Sequence, residues 1–148
     1  MSVFEFDYPQ AERFNRNINT GLYQKFYIET PVEDAEFEAA AEATNMIEVT
    51  IQIVDPAGDP MEEQFSFMLN ICTDVDGETI DNGNVTTSLT TGTLLQAIVA
   101  DTQLQILTDA TGKAVIELTE AVGAATHYLG VVLPNGKYTV SDAVIWAA

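Results

Sequence analysis

Beyond Asn45 the chain alternates between apolar and polar residues in short runs. Met46–Ile53 (MIEVTIQI) sets Ile47, Val49, Ile51 and Ile53 against Glu48, Thr50 and Gln52, the period of two that a half-buried strand requires. The turn-forming run DPAGDP at 55–60 ends it. Gln64–Cys72 then places Phe65, Phe67, Leu69 and Ile71 on one face. The stretch from Thr73 to Thr93 is rich in Thr, Asp, Asn and Gly. A structureless loop of that length is uncommon in a compact domain, so an edge strand is expected around Val85–Leu89. Leu94–Ala100 (LLQAIVA) reads equally as a helical turn or a buried strand. Gln103–Thr108 and Lys113–Thr119 flank a turn at Asp109–Gly112 and are expected to form a hairpin. His127–Leu133 and Lys137–Trp146 flank Pro134-Asn135-Gly136, where the Asn-Gly pair is a strong hairpin signal. Roughly seven short strands separated by turn signals predict an all-β fold, an antiparallel immunoglobulin-like β-sandwich spanning residues 46–148.

Residues 1–45 have a different character. They carry eight of the thirteen aromatic residues and three of the five basic ones, including both arginines. Thr30-Pro31-Val32-Glu33 has the form of a helix start, with Thr at the N-cap, Pro at the first helical position and Glu at the third. The Ala-rich continuation to Thr44 extends the expectation of a short linking helix. Ahead of it, residues 1–29 hold large apolar side chains without a sustained period, interrupted by Pro9, Asn15, Asn17, Asn19 and Gly21. Within that segment Leu22–Glu29 (LYQKFYIE) reads as a strand with Leu22, Phe26 and Ile28 on one face. Aromatic residues and Arg are enriched at protein interfaces. The segment is therefore expected to be an extended N-terminal arm that docks on a neighbouring subunit through Phe4, Phe6, Tyr8, Arg13, Phe14, Arg16, Tyr23, Phe26 and Tyr27. The alternative is that these rings cap the sandwich of their own chain.

Charge narrows the function classes. Of 148 residues, 23 are acidic and five basic, for a formal charge of −18. A domain of that sign repels phosphate backbones and anionic lipid surfaces, so neither nucleic acid nor a membrane is an expected partner. No apolar run approaches the roughly 18 residues of a membrane-spanning helix. The N-terminus lacks a basic segment followed by an apolar core, and synthesis in the cytoplasm is the expectation. The lone Cys72 cannot form an internal disulfide and reads as a small packing residue.

Candidate chemistry is sparse. The single His127 lies in an apolar strand with no accompanying nucleophile motif, and is expected at a strand end or on a sheet face. The loop from Asp74 to Gly83 offers oxygen donors suited to Ca²⁺. The calcium-loop pattern nevertheless fails, because Gly77 stands fourth from Asp74 and Val85 occupies the twelfth position. Glu62 and Glu63 are adjacent, and adjacent residues on a strand face opposite ways, so they read as a solvated strand entry. No catalytic residue, metal ligand or cofactor is expected, and the chain does not read as an enzyme.

Three segments carry a resemblance: VTIQIVDPAGDPMEEQF, QILTDATGKAVIELTE and HYLGVVLPNGKYTVSDAVI. With their turns at Asp55–Gly58, Asp109–Gly112 and Leu133–Gly136, they resemble immunoglobulin-like modules in structural proteins of tailed bacteriophage virions. The resemblance covers about residues 46–148 and brings no catalytic residues with it. It implies a virion structural protein made in the host cytoplasm. The charge and the arm then point to a capsid decoration or cement protein on the outer head surface, whose partners are the major capsid protein or other virion subunits. A homo-oligomer is expected, and a trimer would suit a shell lattice. The alternative is a tail, baseplate or fibre component that uses the sandwich for oligomerisation or host attachment. A non-viral carbohydrate-binding sandwich would require an exposed aromatic platform built from Tyr128, Tyr138 and Trp146.

Overall fold

The computed structural model describes residues 34–147 except Val122, together with the backbone of a short antiparallel pair, β1 (Asp7–Tyr8) and β2 (Gln10–Ala11). The remaining strands are β3 (Asp34–Ala39), β4 (Met46–Val54), β5 (Ser66–Cys72), β6 (Val85–Thr91), β7 (Thr93–Val99) and β8 (Gln103–Leu107). After them come β9 (Lys113–Glu120), β10 (Ala125–Val132), β11 (Tyr138–Val140) and β12 (Val144–Trp146). They form two antiparallel sheets packed as a sandwich, one in the order β3-β4-β9-β6 and the other β11-β10-β5-β8-β7, with β12 also on β10.

Alternation builds the core as the sequence implies. Ile47, Val49, Ile51 and Ile53 of β4 are buried, as are Phe67, Leu69 and Ile71 of β5. Leu104 and Ile106, Ala114, Ile116 and Leu118, and Leu129 and Val131 complete one apolar cluster shared by both sheets. Side chains of this size each contribute about 1.5–3 kcal/mol when fully buried. The Asn-Gly hairpin forms between β10 and β11, closed by Leu133 N–H to the Lys137 carbonyl (2.9 Å).

In the second sheet β10 stands between β11 and β5. β8 and β7 extend the second sheet beyond β5. The route of the chain is distinctive. β6 runs along the edge of the first sheet and, after Gly92, the chain continues directly as β7 on the edge of the second. Gly92 has φ +96°, and a Cβ there would stand 2.8 Å from the Leu107 carbonyl oxygen, so the crossover requires glycine.

Two expectations are corrected. The linking helix does not form over the described part of its segment: Asp34–Ala39 is the strand β3, paired to β4 from Asp34↔Val54 to Ala39↔Val49. Ala35 and Phe37 face the core while Glu36 and Glu38 face out, and this burial outweighs the helix propensity of an Ala-rich segment. The first sheet therefore begins at Asp34, ahead of the expected boundary at residue 45. A tight turn follows β3, with Thr44 and Asn45 both at positive φ (55° and 63°) and reciprocal hydrogen bonds between Ala43 and Met46. The second correction concerns Gln103–Thr108 and Lys113–Thr119. Their turn forms, with Gly112 N–H donating to the Asp109 carbonyl (3.0 Å), but the strands join different sheets, β8 with β5 and β7, and β9 with β4 and β6. Gln52 Nε2 donates to the Thr111 and Gly112 carbonyls and draws the turn onto β4 instead.

Gly112 has φ +75°, and a Cβ there would collide with the Met61 carbonyl oxygen. Gly112→Ala should destabilise the protein by about 2 kcal/mol or more, through strain and displaced backbone together. Urea unfolding measures this, and an unchanged midpoint would contradict the close approach.

Candidate functional site

The inward phase of two strands ends in ionisable residues. Glu120 follows Ala114, Ile116 and Leu118 on β9, and His127 precedes Leu129 and Val131 on β10. The alternation that buries the aliphatic residues therefore buries these two at the same end of the sandwich. Nε2 of His127 and Oε2 of Glu120 share a short hydrogen bond of 2.6 Å. Asp81, from the loop between β5 and β6, presents Oδ1 3.6 Å from Nδ1 of His127, beyond hydrogen-bonding distance. All three side chains are within 5% of complete burial.

Each member has a structural duty. Oδ2 of Asp81 accepts the N–H groups of Gly83 and Asn84 (2.8 and 3.0 Å) and shapes the loop entering β6. Trp146, on β12, sets its ring edge-to-face with His127 at 5.4 Å and donates its indole N–H to the Asn45 carbonyl (2.9 Å). The same carbonyl accepts the Glu120 N–H (3.0 Å). The cluster thus joins the β3–β4 turn, the end of β9, the start of β10 and the C-terminal strand. His127 stands near the start of β10 on its inward face, where it is buried. The sequence carried the signal, since Glu120 and His127 continue the inward phase of their strands.

As chemistry, a histidine oriented by carboxylates resembles the base half of a hydrolytic triad. Here the ring is sealed from solvent, and no hydroxyl or thiol among the described residues is hydrogen-bonded to it. The arrangement pins strands together. No group of three His, Cys, Asp or Glu residues able to hold a metal ion occurs among the described residues.

The other candidates occupy structural places. Asp74 uses Oδ1 to accept the N–H groups of Glu78 and Thr79 (2.9 and 3.1 Å). These hydrogen bonds, led by Thr79, hold its carboxyl below the usual range. Asp74 thus serves the backbone of its own loop. Cys72 is buried, and burial pushes its thiol up from its ordinary value. Glu62 and Glu63 are exposed. Trp146 is buried, which removes it from any aromatic platform, and Tyr128 is half-buried. A groove beside β3 and β4 is lined by Glu36, Phe37, Glu38, Thr50 and Gln52. The side chains of Phe4, Phe6, Tyr8, Arg13, Phe14, Arg16, Tyr23, Phe26 and Tyr27 lie outside the described residues. No protein-family model matches the chain, and no curated protein matches it significantly.

At Asp34, where β3 begins, Oδ2 accepts from Lys137 Nζ (3.0 Å) and Oδ1 from the Thr139 hydroxyl (2.7 Å). Desolvation raises the pKa of this carboxyl, but the hydrogen bonds from Thr139, the Ala35 N–H and Lys137 together outweigh it and hold the group below its ordinary 3.8. The first strand is thereby tied to β11 of the opposite sheet.

Two predictions follow from these contacts. His127→Ala removes the ring between two buried carboxyl groups and should cost about 3–5 kcal/mol of stability. Thermal unfolding of the variant measures this, and a loss below about 1 kcal/mol would show that the cluster is not a pin. Because the folded-state pKa of Asp34 is depressed, its ionised form stabilises the fold above the unfolded pKa, and that contribution is lost as pH falls through the folded value. Asp34→Asn should therefore cost under about 1 kcal/mol at neutral pH, solvent screening being strong at this exposed pair. As the pH falls through the folded value the cost should shrink toward zero, read from paired urea curves.

Proposed function

We propose that this protein is a virion structural protein, a capsid decoration or cement protein that binds the outer head surface through its N-terminal arm. The observation that carries the reading is a division within the chain. The sandwich closes its own apolar core from Ala35 onward, while the preceding 33 residues hold seven of the thirteen aromatic residues and both arginines. Rings in such numbers are suited to an interface with another subunit. The likeness of residues 46–148 to virion sandwich modules supports the same class. Eighteen of the 23 acidic residues lie from Asp34 onward, against Lys113 and Lys137 alone. That field disfavours packaged DNA and favours the outside of a shell. The partner in this reading is the major capsid protein.

A tail, baseplate or fibre component is the second reading, favoured by the apolar exposed residues of β7, which suit self-association. Copy number per particle separates the two, hundreds pointing to the shell and a few to dozens to the tail. Deleting residues 1–29 should abolish binding to mature capsids in a co-sedimentation assay while the truncated protein keeps its unfolding transition. Neither form should retard duplex DNA. Full capsid binding by the truncated protein would remove the arm's role.

A further inference from the structure

The edges of the sandwich are not alike. On β3, Asp34, Glu36 and Glu38 put charge along the edge, and β6 is mostly Thr and Ser. The edge strand β7 (TLLQAIV) has no charged residue, and Leu94, Leu95, Ile98 and Val99 are each between 45% and 49% exposed. An uncharged apolar edge of this length is ordinarily blunted by lysine, proline or a covering element. Register shifts between Leu94 and Gln96 and between Ala97 and Val99 interrupt its ladder with β8. They limit continuous backbone pairing and leave side-chain burial as the larger part of any docking there.

We propose that β7 is the docking site for Leu22–Glu29 of a second copy of this chain. The inference rests on the reading of residues 1–29 as a docking arm, and names where that arm lands when the partner is another copy. Three observations choose the occupant. Leu22, Phe26 and Ile28 fall on one face of a strand-patterned segment, matching an apolar edge. Residues 13–28 contain Arg13, Arg16 and Lys25 and no carboxylate, whereas the body is strongly acidic and Asp101 stands just beyond the end of β7. The third is reach. Glu29 is joined to Asp34 through Thr30–Glu33 alone, and five residues span at most about 18 Å. Asp34 is fastened beside β11, at the far edge of the sheet from β7. A strand added outside β7 lies five strand spacings from β11, about 24 Å. The straight path runs through the packed core, so the chain would have to travel round the body. The segment is too short to reach its own β7 and has to be received from a neighbour.

The test uses full-length chains carrying single cysteines beside the buried Cys72: Phe26→Cys, Leu95→Cys and, as a control on another exposed strand, Ile145→Cys. Mixing Phe26→Cys with Leu95→Cys under mild oxidation should give a reducible heterodimer, formed at least about tenfold faster than with Ile145→Cys. Leu95→Lys/Val99→Lys should weaken self-association in sedimentation velocity by at least about tenfold. Phe26→Asp/Ile28→Asp, which leaves the body unaltered, should do the same if the edge variant fails to fold. The proposal is overturned by crosslinking equal to the control, by a protein that sediments as a monomer at every concentration, or by a Phe26→Cys/Leu95→Cys double variant that closes within one chain. A monomeric protein whose arm still binds capsids would sink this inference alone. A self-associating protein that ignores capsids would sink the decoration reading alone.

Discussion

Two sheets have to hide facing surfaces from water, and one layer of aliphatic side chains meets the requirement for both. Val49, Ile51 and Ile53 on β4, Leu69 and Ile71 on β5, and Ile116 and Leu118 on β9 are fully buried in that layer. Because side chains alternate along a strand, a slip of one residue in any of these would expose its whole inward set. Burial therefore fixes the register, and the register fixes what comes at the strand ends. Glu120 and His127 are carried inward by the same phase, and their short hydrogen bond is what makes that burial tolerable.

The sealed end and the open edge divide the molecule. At one end, Asp81, Glu120, His127 and Trp146 join the β5–β6 loop, β9, β10 and the C-terminal strand, with the Asn45 carbonyl receiving both the indole and the Glu120 N–H. Solvent is excluded there, and the Glu120–His127 hydrogen bond and the Trp146 indole hold strands together. Along β7 the opposite holds, since large apolar groups meet water with no charge beside them on the strand.

Much of the body was legible in the residues, for a local reason. The alternation from Ile47 to Ile53 and from Phe67 to Ile71, and the Asn135-Gly136 turn, are signals in which a few neighbouring residues decide the outcome. What was illegible depended on distant partners. Residues 34–39 begin an alanine-rich run to residue 44 that suits a helix, and only the open side of β4 makes them a strand. The turn at Asp109–Gly112 is encoded by its own residues, but no local signal states that β8 and β9 diverge into separate sheets. The same holds for the buried cluster. The phase of Glu120 and His127 was visible, whereas the convergence of Asp81 and Trp146 on them required the folded chain.

The attachment of β3 bears on how this body would transmit force. Its six residue pairs with β4 run from Asp34↔Val54 to Ala39↔Val49, and its first residue is bonded to Lys137 and Thr139 across the sandwich. Tension entering along the axis of β3 through residue 33 would load those pairs in shear, so that they must yield together. A pull across the strand would peel them one after another. The direction in which the leading segment departs thus sets whether the junction behaves as a tether or as a zipper.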